Sequence, residues 1–286
     1  MSTGTGTSCY RHPDRATRLS CSTCDKPICV DCSRDAAVGQ KCPECARPEG
    51  RAKVIDGRRA VASSQATPLV IGLITINVGL FLLGLLSSTL DRELFLGGAQ
   101  FNETVRVSRT EIVLGIAGGE WWRALTAMFL HGSMTHVLFN MWALWLFGPV
   151  LERRFGAPAF ATLYLAAGLT GSAAYYLLGG ITPAVGASGA IFGLFGALLA
   201  ASYRQRHTVA GRAVFGQLGV LLAINLALPL FVPNIAWQAH MGGLVAGAAI
   251  AFAWDNMALK GAGAERARVA TAATVAILAL GIVVFF

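Results

Sequence analysis

From Pro68 onward the sequence is a succession of apolar stretches separated by short polar connectors, and this pattern excludes most soluble folds. The stretches run approximately over 68–87, 134–151, 157–178, 188–203, 213–231, 237–254 and 269–286. A helix rises about 1.5 Å per residue, so roughly 20 apolar residues cross a hydrocarbon layer of about 30 Å. Lipid offers no hydrogen bonds to an exposed backbone, so the spans must be helices. Seven transmembrane helices are expected over residues 68–286, an all-α polytopic membrane protein. Composition agrees, with 55% hydrophobic and only 13% charged residues and a mean hydropathy of +0.58.

The connectors predict the orientation independently. Glu152, Arg153 and Arg154 follow the second stretch, Arg204, Arg206 and Arg212 the fourth, and Lys260, Arg266 and Arg268 the sixth. Basic connectors stay on the inner face. The opposite connectors, 179–187 and 232–236, carry no charge, and the long one over 88–124 balances Arg92, Arg106, Arg109 and Arg123 against five acids. Trp121 and Trp122 suit that first loop to an interfacial, partly embedded position on the outer face. The N-terminus is polar and lacks a secretory leader, so it is expected in the cytosol, with the chain in the cell membrane. The net charge of +8 then reports topology; no basic aromatic stripe suggests nucleic acid.

The first 67 residues are different in kind. They hold all seven cysteines and no long apolar run. Cys9 with His12, Cys21 with Cys24, Cys29 with Cys32, and Cys42 with Cys45 form four pairs, each with two residues between its members. In a reducing cytosol such spacing favours metal ligation over disulfides. Eight ligands make two tetrahedral zinc sites, which would supply the folding energy that a domain over 1–45 cannot obtain from its own core. Four protein ligands leave zinc no open position, so a structural, partner-binding role is expected. Residues 46–67, with Arg47, Arg51, Lys53, Arg58 and Arg59, read as a basic linker along the inner membrane surface.

Within the spans, several polar residues stand out. Gly186-Ala187-Ser188-Gly189 opens the fourth span, so Ser188 sits near a helix N-terminus, where free backbone N–H groups favour an anion. His240 lies a few residues inside the sixth span, only some 9 Å below its outer end if that helix starts near Asn234. An ionisable group in a span is costly and marks a functional candidate. Gly189 and Gly193 in the fourth span, and Gly243 and Gly247 in the sixth, would let the two helices approach. His136 and Asn140, four residues apart on one face of the second span, could both donate to an oxyanion. Each of these residues taken alone is better explained as a helix-packing feature.

Taken together they are specific. Trp122-Arg123, then His131 with His136 and Asn140, then GASG at a helix start, then Ala239-His240 before a glycine-rich face occur in the order and span positions of the rhomboid proteases. The resemblance covers about 68–254 and implies a rhomboid six-helix core with a seventh, C-terminal transmembrane helix added. It implies Ser188 as nucleophile, His240 as general base, and His136, Asn140 and the Ser188 N–H as the oxyanion hole, without metal or a third carboxylate. His131 corresponds to the motif's structural histidine, Trp122 and Arg123 to the pair that anchors the first loop, and Glu152 and Arg153 to architectural positions. The implied substrates are transmembrane segments of other membrane proteins, cut near the outer face. The N-terminal ligand order is similar to B-box zinc fingers, which implies that the first and third pairs share one zinc and the second and fourth the other. A cytosolic protein is the partner such a finger would take. Two other classes stay open on sequence: a non-catalytic rhomboid-like factor that binds and unfolds membrane clients, and a transporter, for which the spans show no acidic coupling residue.

Overall fold

The computed structural model describes residues 7–36, 39–46, 67–257 and 261–286. Nearly all of the expected linker, including its five basic residues, and Lys260 lie outside the described residues. The chain divides into two compact units, Met1–Ser63 and Ser64–Phe286.

The first unit has almost no hydrocarbon core. Strand β1 (Thr7–Ser8) pairs antiparallel with β2 (Ala16–Thr17), and β3 (Arg34–Asp35) with β4 (Gln40–Lys41). A single 3-10 turn covers Val30–Cys32. Its interior consists of Ile28 and five of the cysteines. Two-residue strands around sulfur cannot hold a fold by area burial, so the stabilisation must come from the sulfur-rich interior itself.

The second unit is a helical bundle. Its helices are α1 (Pro68–Leu86), α2 (Ser88–Gly98), α3 (Arg123–Thr126), α4 (Met134–Phe155), α5 (Ala157–Leu178), α6 (Ser188–Arg204), α7 (Val209–Ala227), α8 (Trp237–Asn256) and α9 (Gly261–Phe285). Local chemistry sets the boundaries. Pro68 occupies the first turn of α1, where its missing N–H costs nothing. The hydroxyls of Ser87, Ser133 and Thr208 accept from Leu90, His136 and Gly211 N–H and cap α2, α4 and α7. Gly156, at φ +85°, ends α4 and allows the reversal into α5.

Seven of these helices match the seven apolar stretches. Among the described residues, four are long and apolar enough to cross a membrane by themselves: Pro68–Leu86, Met134–Phe155, Val209–Leu230 and Gly263–Phe285. The other three, α5, α6 and α8, carry the interior of the bundle. Their buried faces are built from Gly, Ala and a few large residues, because a helix facing helices gains from close approach rather than from apolar bulk. The opposite pattern marks the lipid-facing side of α4, where Leu138, Phe139, Trp142 and Trp145 are all exposed.

Three boundaries differ from the sequence expectation. α9 starts at Gly261 rather than 269, so Arg266 and Arg268 belong to its first turns. Glu152, Arg153 and Arg154 are the last turn of α4 rather than a connector. α8 starts at Trp237, because Asn234 is in a left-handed turn at φ +63°. His240 is therefore in the first turn, about 5 Å along the axis from the helix start, instead of some 9 Å.

Two polar devices hold the bundle together. The buried Glu152 carboxylate accepts from Leu69 N–H at 3.1 Å and Val70 N–H at 3.0 Å, tying the end of α4 to the start of α1. The first loop contains α2, the hairpin β5 (Val105–Arg106) with β6 (Ile112–Val113), and α3. It is fastened to the bundle by two buried amides. Gln100 Nε2 donates to the Ser172 carbonyl at 2.9 Å, and Asn102 Nδ2 donates to the carbonyls of Tyr175 and Gly180, both at 3.0 Å.

Candidate active site and metal sites

α6 and α8 form the most intimate helix pair of the bundle, and glycine is the reason. A methyl group on Gly243 would overlap the Gly189 carbonyl, and one on Gly247 would overlap the Gly193 carbonyl. With hydrogen at these positions the two backbones touch, and Ser188, directly before Gly189, and His240, one turn before Gly243, are brought together. His240 Nε2 lies 2.8 Å from Ser188 Oγ. With Nδ1 carrying the proton of the neutral imidazole, the serine hydroxyl donates to Nε2, the arrangement that activates a nucleophile.

The ring plane is held as well. Phe192, one turn below Ser188 on α6, stacks on His240 with centroids 4.2 Å apart and planes 8° apart. Among the described residues no carboxylate hydrogen-bonds to His240, and the stacked Phe192 ring is what holds its plane. The sequence reading missed Phe192, although its position four residues after Ser188 puts it on the same face.

Ser188 begins α6, and Gly186 precedes it at φ +124°. That glycine is required twice: its backbone is in a region closed to L side chains, and an added Cβ would stand 2.7 Å from the His136 ring. His136 thus lies over the turn that presents Ser188. Asn140 is buried on the same face and gives one N–H to the His136 carbonyl at 2.9 Å. Its second N–H carries no intramolecular bond among the described residues. A small cavity of about 30 Å³ adjoins Ser188, lined by Gln100, Met128, Gly168, Ser172 and Ala239 among others.

The remaining predicted positions fall around this centre. His131 is buried edge-on to His136, with centroids 5.0 Å apart, and neither of its ring nitrogens has a hydrogen-bond partner among the described residues. Arg123 is 3% exposed; it donates through Nε to Glu120 at 2.7 Å and through Nη1 to the Ala99 carbonyl at 2.9 Å. Trp122, by contrast, is 40% exposed and meets Trp121 edge to face. In this loop the arginine makes the buried polar contacts, and the tryptophan side chain stays at the surface. Arg153 is exposed, whereas its neighbour Arg154 pairs with Asp255 at 2.9 Å.

In the first unit the eight ligand candidates gather into two groups, Cys9, His12, Cys29 and Cys32, and Cys21, Cys24, Cys42 and Cys45. All seven cysteines are free thiols. His12 Nδ1 stands 3.9, 3.4 and 3.4 Å from the sulfurs of Cys9, Cys29 and Cys32, and the Cys24 and Cys42 sulfurs are 3.9 Å apart. A tetrahedron with Zn–S of about 2.3 Å and Zn–N of about 2.0 Å has edges of about 3.5–3.8 Å, so the donors fit. Their electrostatics point the same way. A backbone hydrogen bond from Cys42 brings the Cys21 thiol down to about 6, whereas hydrogen bonds to Cys42 and Cys24 push Cys45 up to about 12. Four crowded thiols cannot all ionise without a cation between them. Both clusters can bind a metal ion.

The Rhomboid domain family model matches residues 118–254. The chain is 40% identical over 185 residues to the rhomboid protease GluP of Bacillus subtilis (strain 168), covering 65% of this chain and 36% of that protein. It is 39% identical over 140 residues to the rhomboid-type protein YdcA of the same strain, covering 49% of this chain and 70% of YdcA. It is also 36% identical over 172 residues to RHOMBOID-like protein 6, mitochondrial, of Arabidopsis thaliana, covering 59% and 51% of the two chains. The chain thus spans about a third of the length of GluP and about half of the plant protein.

Proposed function

Since this chain belongs to the rhomboid family and is a polytopic membrane protein, we propose that it is an intramembrane serine endopeptidase that cleaves transmembrane segments with a Ser188–His240 dyad. The observation that carries this reading is the 2.8 Å approach of Ser188 Oγ to His240 Nε2 in the first turns of α6 and α8. A solvent-accessible end is where a hydrolase working in a bilayer needs its nucleophile.

The reaction is acyl transfer. Ser188 Oγ attacks the peptide carbonyl carbon while its proton passes to His240 Nε2. The oxyanion is received by the Ser188 N–H at the start of α6, the free N–H of Asn140 and the His136 ring. When the C–N bond breaks, His240 returns the proton to the leaving amine. A water then gives a proton to His240 and attacks the acyl carbon, and His240 passes that proton to Ser188 Oγ as the acyl–oxygen bond breaks, freeing the acid product. The cavity beside Ser188, at about 30 Å³, exceeds the roughly 10–15 Å³ that one water requires.

The substrate is a membrane protein whose helix unwinds locally near the outer face, because an α-helical peptide bond is shielded by its own turn; small or helix-breaking residues ease this. The charge pattern supports a cytosolic N-terminus in the cell membrane, with the dyad opening outward. The first unit holds two structural zinc ions, one on each cluster, and recruits a cytosolic partner or the client's cytosolic tail. Zinc there would supply folding energy and takes no part in the cleavage.

The test is cleavage of a membrane-anchored reporter by the purified full chain. Ser188→Ala should reduce it to background and abolish fluorophosphonate labelling while leaving thermal unfolding unchanged. Cleavage that survives the substitution overturns the reading.

A further inference from the structure

The seventh span, α9, lies beyond the six-helix core, and the mechanism above does not use it. Its buried residues Ala264, Ala272, Ala279 and Val283 form one stripe along the helix. Ala272 packs into the main core with residues of α5. The outer part of the stripe does something different. Ala279 and Val283 share a separate cluster with Leu169 and Ala173 of α5, with Ile116 of the first loop, and with Ala124 of α3. The outer end of α9 and the loop that runs past the active site therefore pack in one cluster around Leu169 and Ala173 of α5.

That contact leads to the nucleophile through named bonds. Ser172 Oγ donates to the Ala124 carbonyl at 2.7 Å, holding α3 on α5. Three residues further along, the Ala127 carbonyl accepts from Gly186 N–H at 2.8 Å. From the other side of the turn, Gln100 and Ala184 exchange both backbone hydrogen bonds at 2.9 Å. Gly186 is the left-handed residue that aims the Ser188 N–H and lies beneath the His136 ring. The Gly186–Ala187–Ser188 turn thus takes its orientation from residues 124–127, and Ala124 shares with the outer end of α9 the cluster built on Leu169 and Ala173 of α5.

We infer that α9 is a positioning element for the nucleophile's turn, with Ala279 and Val283 as its positioning residues. Ala279 is buried in that cluster against α5; a larger residue displaces the α5 side chains on which α3 also rests and, through the Ala127 carbonyl, rotates the Gly186 peptide. The consequence is kinetic. The oxyanion donors lose their alignment while the surface that receives a transmembrane substrate is untouched. The inference rests on Ser188 being the nucleophile.

The experiment compares Ala279→Leu, Val283→Ala and Ala272→Leu in the full chain reconstituted in lipid discs. Ala272→Leu overpacks the same helix pair about 10 Å closer to the inner face and controls for general packing damage. Ala279→Leu is expected to lower kcat about tenfold or more with KM within about twofold, and Val283→Ala to act in the same direction and carry the test if the larger substitution fails to fold. Amide exchange over 183–188 should accelerate in both and stay at the wild-type rate in Ala272→Leu. Equal loss in Ala272→Leu, or unchanged exchange over 183–188 in both outer variants, overturns the inference. If wild type and Ser188→Ala prove equally active or inactive, the enzymatic reading fails, and the exchange data still decide the coupling.

Discussion

Ser188 Oγ and His240 Nε2, 52 residues apart in the chain, lie 2.8 Å apart because Gly243 presents only hydrogen to the Gly189 carbonyl. The backbones of α6 and α8 meet at this crossing, and the two first turns are thereby brought into hydrogen-bond range. The Ser188–His240 pair is as much a product of missing side chains as of the two that meet.

Gly243→Leu should accordingly separate the dyad without touching it. Fluorophosphonate labelling of Ser188 is expected to fall at least as far as cleavage, with a lowered Tm, because the leucine must displace the Gly189 backbone. Leu278→Ala, on the exposed face of α9, should leave both at wild type.

The proposed oxyanion donors predict a kcat effect. Asn140→Ala and His136→Ala are each expected to lower kcat by about 10²–10³, the usual loss for one oxyanion donor, with little change in KM. Steady-state kinetics on the membrane-anchored reporter checks this; a loss confined to KM would assign these residues to substrate binding instead.

Glu152 predicts a stability effect without a catalytic one. Glu152→Ala leaves the buried Val70 N–H and the part-buried Leu69 N–H without their acceptor, at about 1–3 kcal/mol for the buried one. Thermal unfolding should shift down clearly, whereas kcat measured well below that temperature should stay near the wild-type value.

Metal removal should separate the two units. Elemental analysis is expected to find about two zinc ions per chain, and about one for Cys29→Ser or Cys42→Ser. A strong chelator should unfold the first unit, seen by proteolysis within 9–45, and leave Ser188 labelling intact. Unchanged client choice and turnover after deletion of residues 1–45 would rule out the recruiting role.

Much of this architecture is local and therefore legible in the sequence. Helix existence follows from runs of apolar residues, and candidate zinc ligands follow from four repeats of the same two-residue gap. Ser188, His240, His136 and Asn140 stood out because polar side chains in apolar helices are costly. What tertiary structure alone decided is long-range. The turn at Asn234 set where α8 begins, and so the depth of His240. Glu152 found the free end of α1, Gln100 and Asn102 found carbonyls more than seventy residues away, Phe192 came to face His240, and the C-terminal end of α9 settled on α5 in the cluster that also holds Ala124. A periodic pattern shows which face of a helix is buried, but not which of several apolar or polar partners will cover it. That choice depends on which backbones can approach closely, and it is made only when all the helices pack.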